Sequence, residues 1–186
     1  TLASDHSANR KDMQYYNEAI YCYYLEDYEG AMRAAKQALK LGSIKASYLL
    51  IELYYDEDSP YRDVEKTISY AKQLFEATKD PELAFLLGIV YDQQLKDYVK
   101  AVNWYENAER LGHKRVAFYL GRIYYYGLLR TKRDGGKALS YFKKARENGI
   151  QEAEGYIKDL EDLKGEDLQT AVEKWERAVE AGSESA

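Results

Sequence analysis

Small, apolar and aromatic residues recur at intervals of three and four along most of this chain, which is the spacing of one helix face. The pattern is clearest over residues 114–149, where Ala117, Leu120, Gly121 and Tyr124 form one apolar stripe before a glycine at 127. A second stripe in the same stretch ends at Gly149. The pattern predicts a helix–turn–helix unit. Because one such unit cannot bury its own apolar face, we expect further copies stacked beside it.

Five copies of this unit follow one register. Each second helix opens with an aspartate and closes fifteen residues later, with small or apolar residues between. The opening residues are Asp27, Asp63, Asp97, Asp134 and Asp167, and the closing residues are Gly42, Thr78, Gly112, Gly149 and Gly182. An aspartate accepts hydrogen bonds from the free N–H groups at a helix N-terminus. Glycine readily takes the left-handed conformation that ends a helix.

The register predicts one repeat domain over residues 11–182, with no linker inside it. The repeats are expected at about 11–42, 43–79, 80–112, 113–149 and 150–182. Residues 1–10 lack a period and are predicted to be a frayed lead-in, and residues 183–186 a tail. In the first helix of the first repeat, Ala19 is the expected small residue at the position of Gly121.

Composition narrows the class of protein. Of 186 residues, 46% are apolar and only two are proline, which permits a buried core and favours long helices. A net charge of -5 argues against nucleic acid as a partner. No apolar run is long enough to span a membrane. One cysteine excludes an intramolecular disulfide. The start at Thr1 is expected of a processed or trimmed chain. A periplasmic and a cytoplasmic location are both compatible with these observations.

The motifs of the third and fourth units resemble the Sel-one-like repeat, a branch of the tetratricopeptide repeat superfamily. In the third unit the matching residues are Ala84, Leu87, Gly88, Tyr91, Asp97, Lys100, Ala101, Trp104, Tyr105, Ala108 and Gly112. Units two and five depart from the pattern at the glycine of the first helix. The resemblance implies an all-α, right-handed α/α superhelical solenoid of about five helix–turn–helix repeats, whose first helices line a concave face. It also implies an adaptor that holds proteins or peptides, without catalysis.

The concave face can be projected from the register. If Gly121 and its equivalents face the partner helix, the residues beside them point into the groove. The predicted partner-binding residues are Tyr16, Ile20, Tyr23, Tyr24, Ile51, Tyr54, Tyr55, Phe85, Ile89, Phe118, Arg122, Tyr125 and Tyr126. Tyrosine offers a large rigid contact area with a polar tip, which suits recognition of a peptide. The alternative is that several of these rings pack between neighbouring repeats.

Other candidate sites are weaker. The basic loop with Arg130, Lys132, Arg133 and Lys137 could hold an acidic partner, although a solvated loop is the simpler interpretation. The acidic residues 56–58 lack the spacing and glycine of a calcium loop. His6, His113 and Cys22 stand too far apart in the repeat for a zinc site. No nucleophile, base and orienting group occur together, so we expect no catalytic residue, metal or cofactor.

The main functional hypothesis is a protein–protein interaction module that binds a peptide or partner loop on the concave face. A second hypothesis is a structural or self-assembling piece of a larger repeat protein of the bacterial envelope, motivated by Trp175 and Val179 on the last helix. A third, a use known for Sel-one-like repeats, is an immunity or inhibitor protein that plugs a toxin or enzyme. Specificity in the fourth unit is expected from Arg122, Tyr124–Tyr126 and the basic loop. The oligomeric state stays open.

Overall fold

The chain is all-α in a computed structural model, which describes residues 2–163 and 168–184. The described residues form ten α-helices and one short π-helical turn at Val90–Gln94. The helices are α1 (Leu2–Tyr24), α2 (Tyr28–Lys40), α3 (Ile44–Tyr55), α4 (Val64–Thr78), α5 (Pro81–Ile89), α6 (Tyr98–Arg110), α7 (Val116–Tyr126), α8 (Gly135–Glu147), α9 (Ala153–Asp162) and α10 (Leu168–Glu184). This confirms the predicted fold class. No helix in the described ranges is long and apolar enough to cross a membrane.

The helices fall into two compact units, Thr1–Val90 and Tyr91–Ala186. In the first unit, α1 to α5 pack in sequence, each against the next. In the second unit, α6 to α9 pack in the same way, and α10 contacts α8. The division falls inside the third predicted repeat, between its two helices, where the sequence shows no linker. The predicted repeat limits stay predictions.

Two helices extend beyond the expected ends of the array. α1 begins at Leu2 and so includes residues 2–10 of the expected lead-in. Residues 2–24 contain neither proline nor glycine, so nothing in that stretch forces a break. α10 continues through Gly182 to Glu184, because a glycine inside a helix costs only about 1 kcal/mol relative to alanine. The fifth opening residue, Asp167, lies outside the described residues.

Each of the other four opening aspartates makes two bonds at its turn. Its carboxylate accepts a hydrogen bond from the backbone N–H three residues later, as predicted for a helix cap. The donors are Gly30 at 2.9 Å, Lys66 at 3.0 Å, Lys100 at 3.2 Å and Lys137 at 2.9 Å. The aspartate's own N–H donates, at 2.9 Å in every case, to a carbonyl of the preceding helix, namely that of Cys22, Tyr54, Tyr91 or Tyr124. One residue thus ties the turn backward and caps the next helix.

The predicted helix ends are confirmed at Gly42, Gly112 and Gly149, whose φ angles are 87°, 89° and 89°. In the second repeat, where threonine occupies the closing position, the next residue, Lys79, adopts the left-handed conformation at φ 52°.

The small-residue columns lie in the core, as the register predicts. Ala19 is fully buried, and an added Cβ on Gly121 would lie 2.7 Å from Cδ1 of Phe142 on α8. Gly121 therefore faces its partner helix. The larger residues that replace it in two repeats, Leu50 and Ile157, are each 1% exposed. The alanines of the second helices are equally enclosed: Ala31, Ala38, Ala101, Ala108, Ala138 and Ala145 are all 0% exposed.

Candidate protein-binding surfaces

The thirteen predicted partner-binding residues differ in exposure and are divided between the two units. Tyr24 and Arg122 are exposed, Tyr24 to 80%. Ile51, Tyr54 and Tyr125 are buried among the chain's own side chains. These three residues therefore follow the alternative interpretation, in which side chains pack within the repeats. The half-buried residues are Tyr16, Ile20, Tyr23, Tyr55, Phe85, Ile89, Phe118 and Tyr126.

In the first unit, Tyr23 connects α1 to the end of α3. Its hydroxyl donates a hydrogen bond of 2.8 Å to Oδ2 of Asp56. Its ring meets those of Tyr24 and Tyr28 edge to face, with centroids 6.4 and 6.1 Å apart. Burial, followed by the bond to Asp56, raises the pKa of Tyr23 well above its ordinary value. Tyr23 therefore stays protonated and holds the carboxylate in place.

Two carboxylates, one helical turn apart, lie beside these rings. Partial desolvation and the nearby Asp56 raise the pKa of Glu52, whose side chain still reaches solvent. Burial and the negative charge of Glu52 raise the pKa of Tyr55. Among the residues that the structure describes, no lysine or arginine forms an ion pair with Glu52 or Asp56. We call Tyr23, Tyr24, Glu52, Tyr55 and Asp56 the first-unit surface.

Sequence reasoning missed the carboxylates of this surface. The sequence pattern indicates Asp56 only as part of an acidic loop and does not single out Glu52. The available signal was their spacing of four, which places both on one side of α3. In the loop itself, Oδ1 of Asp56 accepts the N–H of Asp58 at 2.9 Å, and Glu57 pairs with Arg62 at 3.7 Å. Nowhere in the described chain do three or more His, Cys, Asp or Glu side chains gather to hold a metal ion.

In the second unit, Tyr125 belongs to an aromatic cluster that joins α7, α8, α9 and α10. Its ring lies 5.0 Å from Tyr156 and 5.2 Å from Trp175, edge to face in both pairs. Phe142 stacks on Tyr156 with centroids 4.4 Å apart. Trp175, which suggested an open face on the last helix, is therefore engaged with its own chain. Val179 on the same helix is 51% exposed.

The exposed Arg122 and the half-buried Tyr126 form a second, smaller group on α7. The Arg122 guanidinium lies 6.0 Å from the centre of the Tyr126 ring. The Tyr126 and Tyr156 hydroxyls are hydrogen-bonded at 3.1 Å, and burial together with this bond raises the pKa of Tyr126 to about 12. Phe118 packs edge to face on Tyr156, with centroids 6.0 Å apart.

The residues of the basic loop have different roles. Nε of Arg133 donates to the carbonyl of Tyr126 at 3.0 Å, and its guanidinium pairs with Glu176. Lys137 places its ammonium 4.9 Å from the centre of the Tyr124 ring. Arg133 is thus a structural residue of the α7–α8 loop, whereas Arg130 and Lys132 are exposed.

Comparison with known proteins identifies the repeats. The family model described as the Sel1 repeat matches residues 81–113 and 115–150. These two segments of the chain are Sel1 repeats. These two Sel1 repeats coincide with the third and fourth predicted units, and they are of the kind called Sel-one-like above, within the tetratricopeptide-like superfamily.

A curated relative also matches this chain. The ERAD-associated E3 ubiquitin-protein ligase component HRD3 of Candida glabrata is 31% identical over 100 residues. The match covers 52% of this chain and 12% of the relative, so the chain spans a small part of that protein's length. The Sel1 repeats and this relative support a protein-interaction repeat module.

Proposed function

We propose that this Sel1-repeat chain binds a peptide segment or an extended loop of a partner protein, and that the first-unit surface makes the principal contacts. The half-exposed residues of α1 that precede this surface, Tyr16 and Ile20, would extend it along the helix. Phe118, Arg122 and Tyr126 offer a separate contact patch in the second unit.

The observation that carries the proposal is the contrast in exposure along α1 and α3. Ala19 and Leu53 are fully buried, whereas Tyr24 on the same helix as Ala19 is 80% exposed. Exposure of a large aromatic side chain to water does not stabilise the isolated chain. Exposed aromatic surface commonly marks an interface. Because Tyr23 is bonded to Asp56, part of this surface is already ordered, which lowers the entropy cost of binding.

The charge of the surface indicates the kind of segment that it would bind. Glu52 and Asp56 lie beside three tyrosine rings and lack a basic partner among the described residues. A lysine or arginine side chain placed there would meet both carboxylates and the faces of the rings. A charge-assisted hydrogen bond contributes about 1.5–3 kcal/mol, and a cation–π contact at an exposed site about 0.5–1 kcal/mol. We therefore propose a segment with a basic side chain next to an apolar one.

The curated relative suggests a protein assembly as the setting of this binding. Its name describes a component of a ubiquitin ligase, that is, a subunit of a larger protein assembly. A chain that shares its repeats could likewise hold a protein within an assembly.

The test begins with an affinity pull-down and mass spectrometry, followed by measurement of the dissociation constant for the captured partner. We expect Tyr24→Ala and Glu52→Gln each to weaken binding about tenfold, equivalent to about 1.4 kcal/mol. Tyr21→Ala is the matched control, since Tyr21 lies on the same helix and is 66% exposed but lies outside the surface. Circular dichroism checks the fold of each variant. Equal affinities for all three variants and the unmodified chain would refute the assignment.

A further inference from the structure

A groove in the second unit lies between the start of α6 and the loop that joins α7 to α8. Its volume is about 520 Å³, within the range of sites that hold ligands. Apolar side chains form much of its wall: Leu95, Val99, Val102 and Leu129. Leu95 is 48% exposed and Val99 is 75% exposed, so the wall is open to a partner. None of the predicted partner-binding residues lines this groove.

The loop on one side of the groove holds an unusual backbone conformation. Leu129 and Arg130 have φ angles of 51° and 53°, a region that L residues seldom adopt. Two bonds hold the loop against α7, from Leu128 N–H to Ile123 O at 2.9 Å and from Arg133 Nε to Tyr126 O at 3.0 Å. Within the loop, Thr131 N–H donates to Leu128 O at 2.9 Å. The Arg130 side chain is therefore presented from a backbone that is already ordered. Strain of this kind, retained by surrounding bonds, is found where a loop has to present a side chain.

The charge of the groove is opposite to that of the whole chain. The Arg130 guanidinium stacks 5.5 Å from the centre of the Tyr98 ring, and no carboxylate of the described residues pairs with it. The carboxylate in the groove, Asp97, is already engaged, since it caps α6 and lies 3.3 Å from Nζ of Lys100. Lys96 adds a second exposed cation. The groove thus offers positive charge beside apolar surface on a chain of net charge -5.

We propose that this groove binds a short segment of a partner protein in which an aspartate or glutamate lies next to a bulky aliphatic side chain. The carboxylate pairs with Arg130, already oriented by Tyr98, and the aliphatic side chain covers Leu95 and Val99. An arginine matches a carboxylate with two parallel hydrogen bonds, which gives the segment its direction. This site is independent of the first-unit surface and prefers the opposite charge.

A random 12-residue peptide library displayed on phage, panned on the full chain, tests the proposal. We expect one selected group of peptides to be rich in Asp or Glu next to Leu, Ile or Phe. Affinity of a synthetic peptide from that group is then measured by fluorescence polarisation. Arg130→Gln and Val99→Ser should each weaken it about tenfold, whereas Lys132→Gln, in the same loop outside the groove, should change it less than about twofold. Val99 is largely exposed, so its replacement leaves the core intact.

The outcomes separate the alternatives. Loss of affinity in Arg130→Gln and Val99→Ser but not in Tyr24→Ala supports the groove, whatever the fate of the first-unit surface. An absence of acidic peptides among the selected group overturns the proposal, and so does equal loss in Arg130→Gln and Lys132→Gln. Sedimentation analysis tests whether a second copy of the chain fills the groove. A dimer that Arg130→Gln dissociates would show that it does, and the peptide assignment would be wrong.

Discussion

Replacement of Gly121 by alanine should destabilise the second unit, although alanine is the better helix former. The added Cβ would lie 2.7 Å from Cδ1 and Cε1 of Phe142, whereas ordinary contacts begin at 3.4 Å, so the ring has to move by 0.7 Å (3.4 minus 2.7). Phe142 is fully buried and stacks on Tyr156 with centroids 4.4 Å apart, which leaves little room for that movement.

The expected magnitude follows from two opposed effects. Overpacking a core by one methyl group costs about 1–3 kcal/mol. Replacing glycine inside a helix returns about 0.5–1 kcal/mol. The net loss in the free energy of unfolding should therefore lie between about 0 and 2.5 kcal/mol and centre on about 1 kcal/mol. For a urea dependence of about 2 kcal/mol per molar, a loss of about 1 kcal/mol lowers the midpoint of unfolding by roughly 0.5 M.

Tryptophan fluorescence during urea unfolding measures this loss in the correct part of the chain, because both tryptophans, Trp104 and Trp175, lie in the second unit. Gly155→Ala is the matched control: Gly155 also lies in a helix of that unit, but an added Cβ there meets no atom within 4 Å. This control should gain about 0.5–1 kcal/mol. Adding Phe142→Leu to Gly121→Ala should reveal coupling of at least about 0.5 kcal/mol. A Gly121→Ala chain as stable as Gly155→Ala would refute the packing argument.

Three further measurements follow from the structure. Asp63→Ala should lower the free energy of unfolding by about 0.5–2 kcal/mol in urea melts followed by circular dichroism, whereas Asp63→Asn keeps most of the cap; equal loss in both would contradict the capping role. Burial raises the pKa values of Tyr126 and Tyr141 from 10 to about 12. The stability that these two protonated tyrosines contribute is therefore complete below pH 10 and is lost as the pH rises towards 12. Titration of tyrosinate absorbance in the folded chain and in urea measures the two sets of pKa values. Identical titration curves in the two conditions would refute the shift. Tyr23→Phe, which removes the bond to Asp56, should cost about 0.5–1.5 kcal/mol in the same melts, and no loss would show that the bond contributes nothing.

The elements that the sequence predicted best depend on neighbours close in the chain. A capping aspartate bonds to a residue three positions later, and a closing glycine ends its own helix, so both signals are local. The limits of local reasoning are visible at the two ends of the array. Residues 2–10 lack a hydrophobic period but also lack any residue that stops a helix, and Gly182 is too weak a stop to end α10.

The binding residues were harder to predict because exposure depends on distant parts of the chain. Helical spacing gives the direction of a side chain within one helix but not what covers it. Tyr54 is covered by an element later in the chain, where its ring lies 5.4 Å from Tyr70 on α4. Trp175 packs on Tyr125 in the same manner, from α10. The bond between Tyr23 and Asp56, which defines the first-unit surface, joins residues 33 positions apart.

Each of the four aspartates makes a backward hydrogen bond and a capping hydrogen bond. Together these two bonds allow turns of different length to join helices that pack in the same way. The backward bond runs from Asp27 to Cys22 across a short turn and from Asp134 to Tyr124 across a long one, yet its length is 2.9 Å in both. Inserted residues can therefore accumulate between two anchored points without shifting either helix. These turns are acceptor sites for grafted loops, and an engineer could exchange residues 129–132 for a designed sequence while leaving Leu128, Arg133 and Asp134 in place.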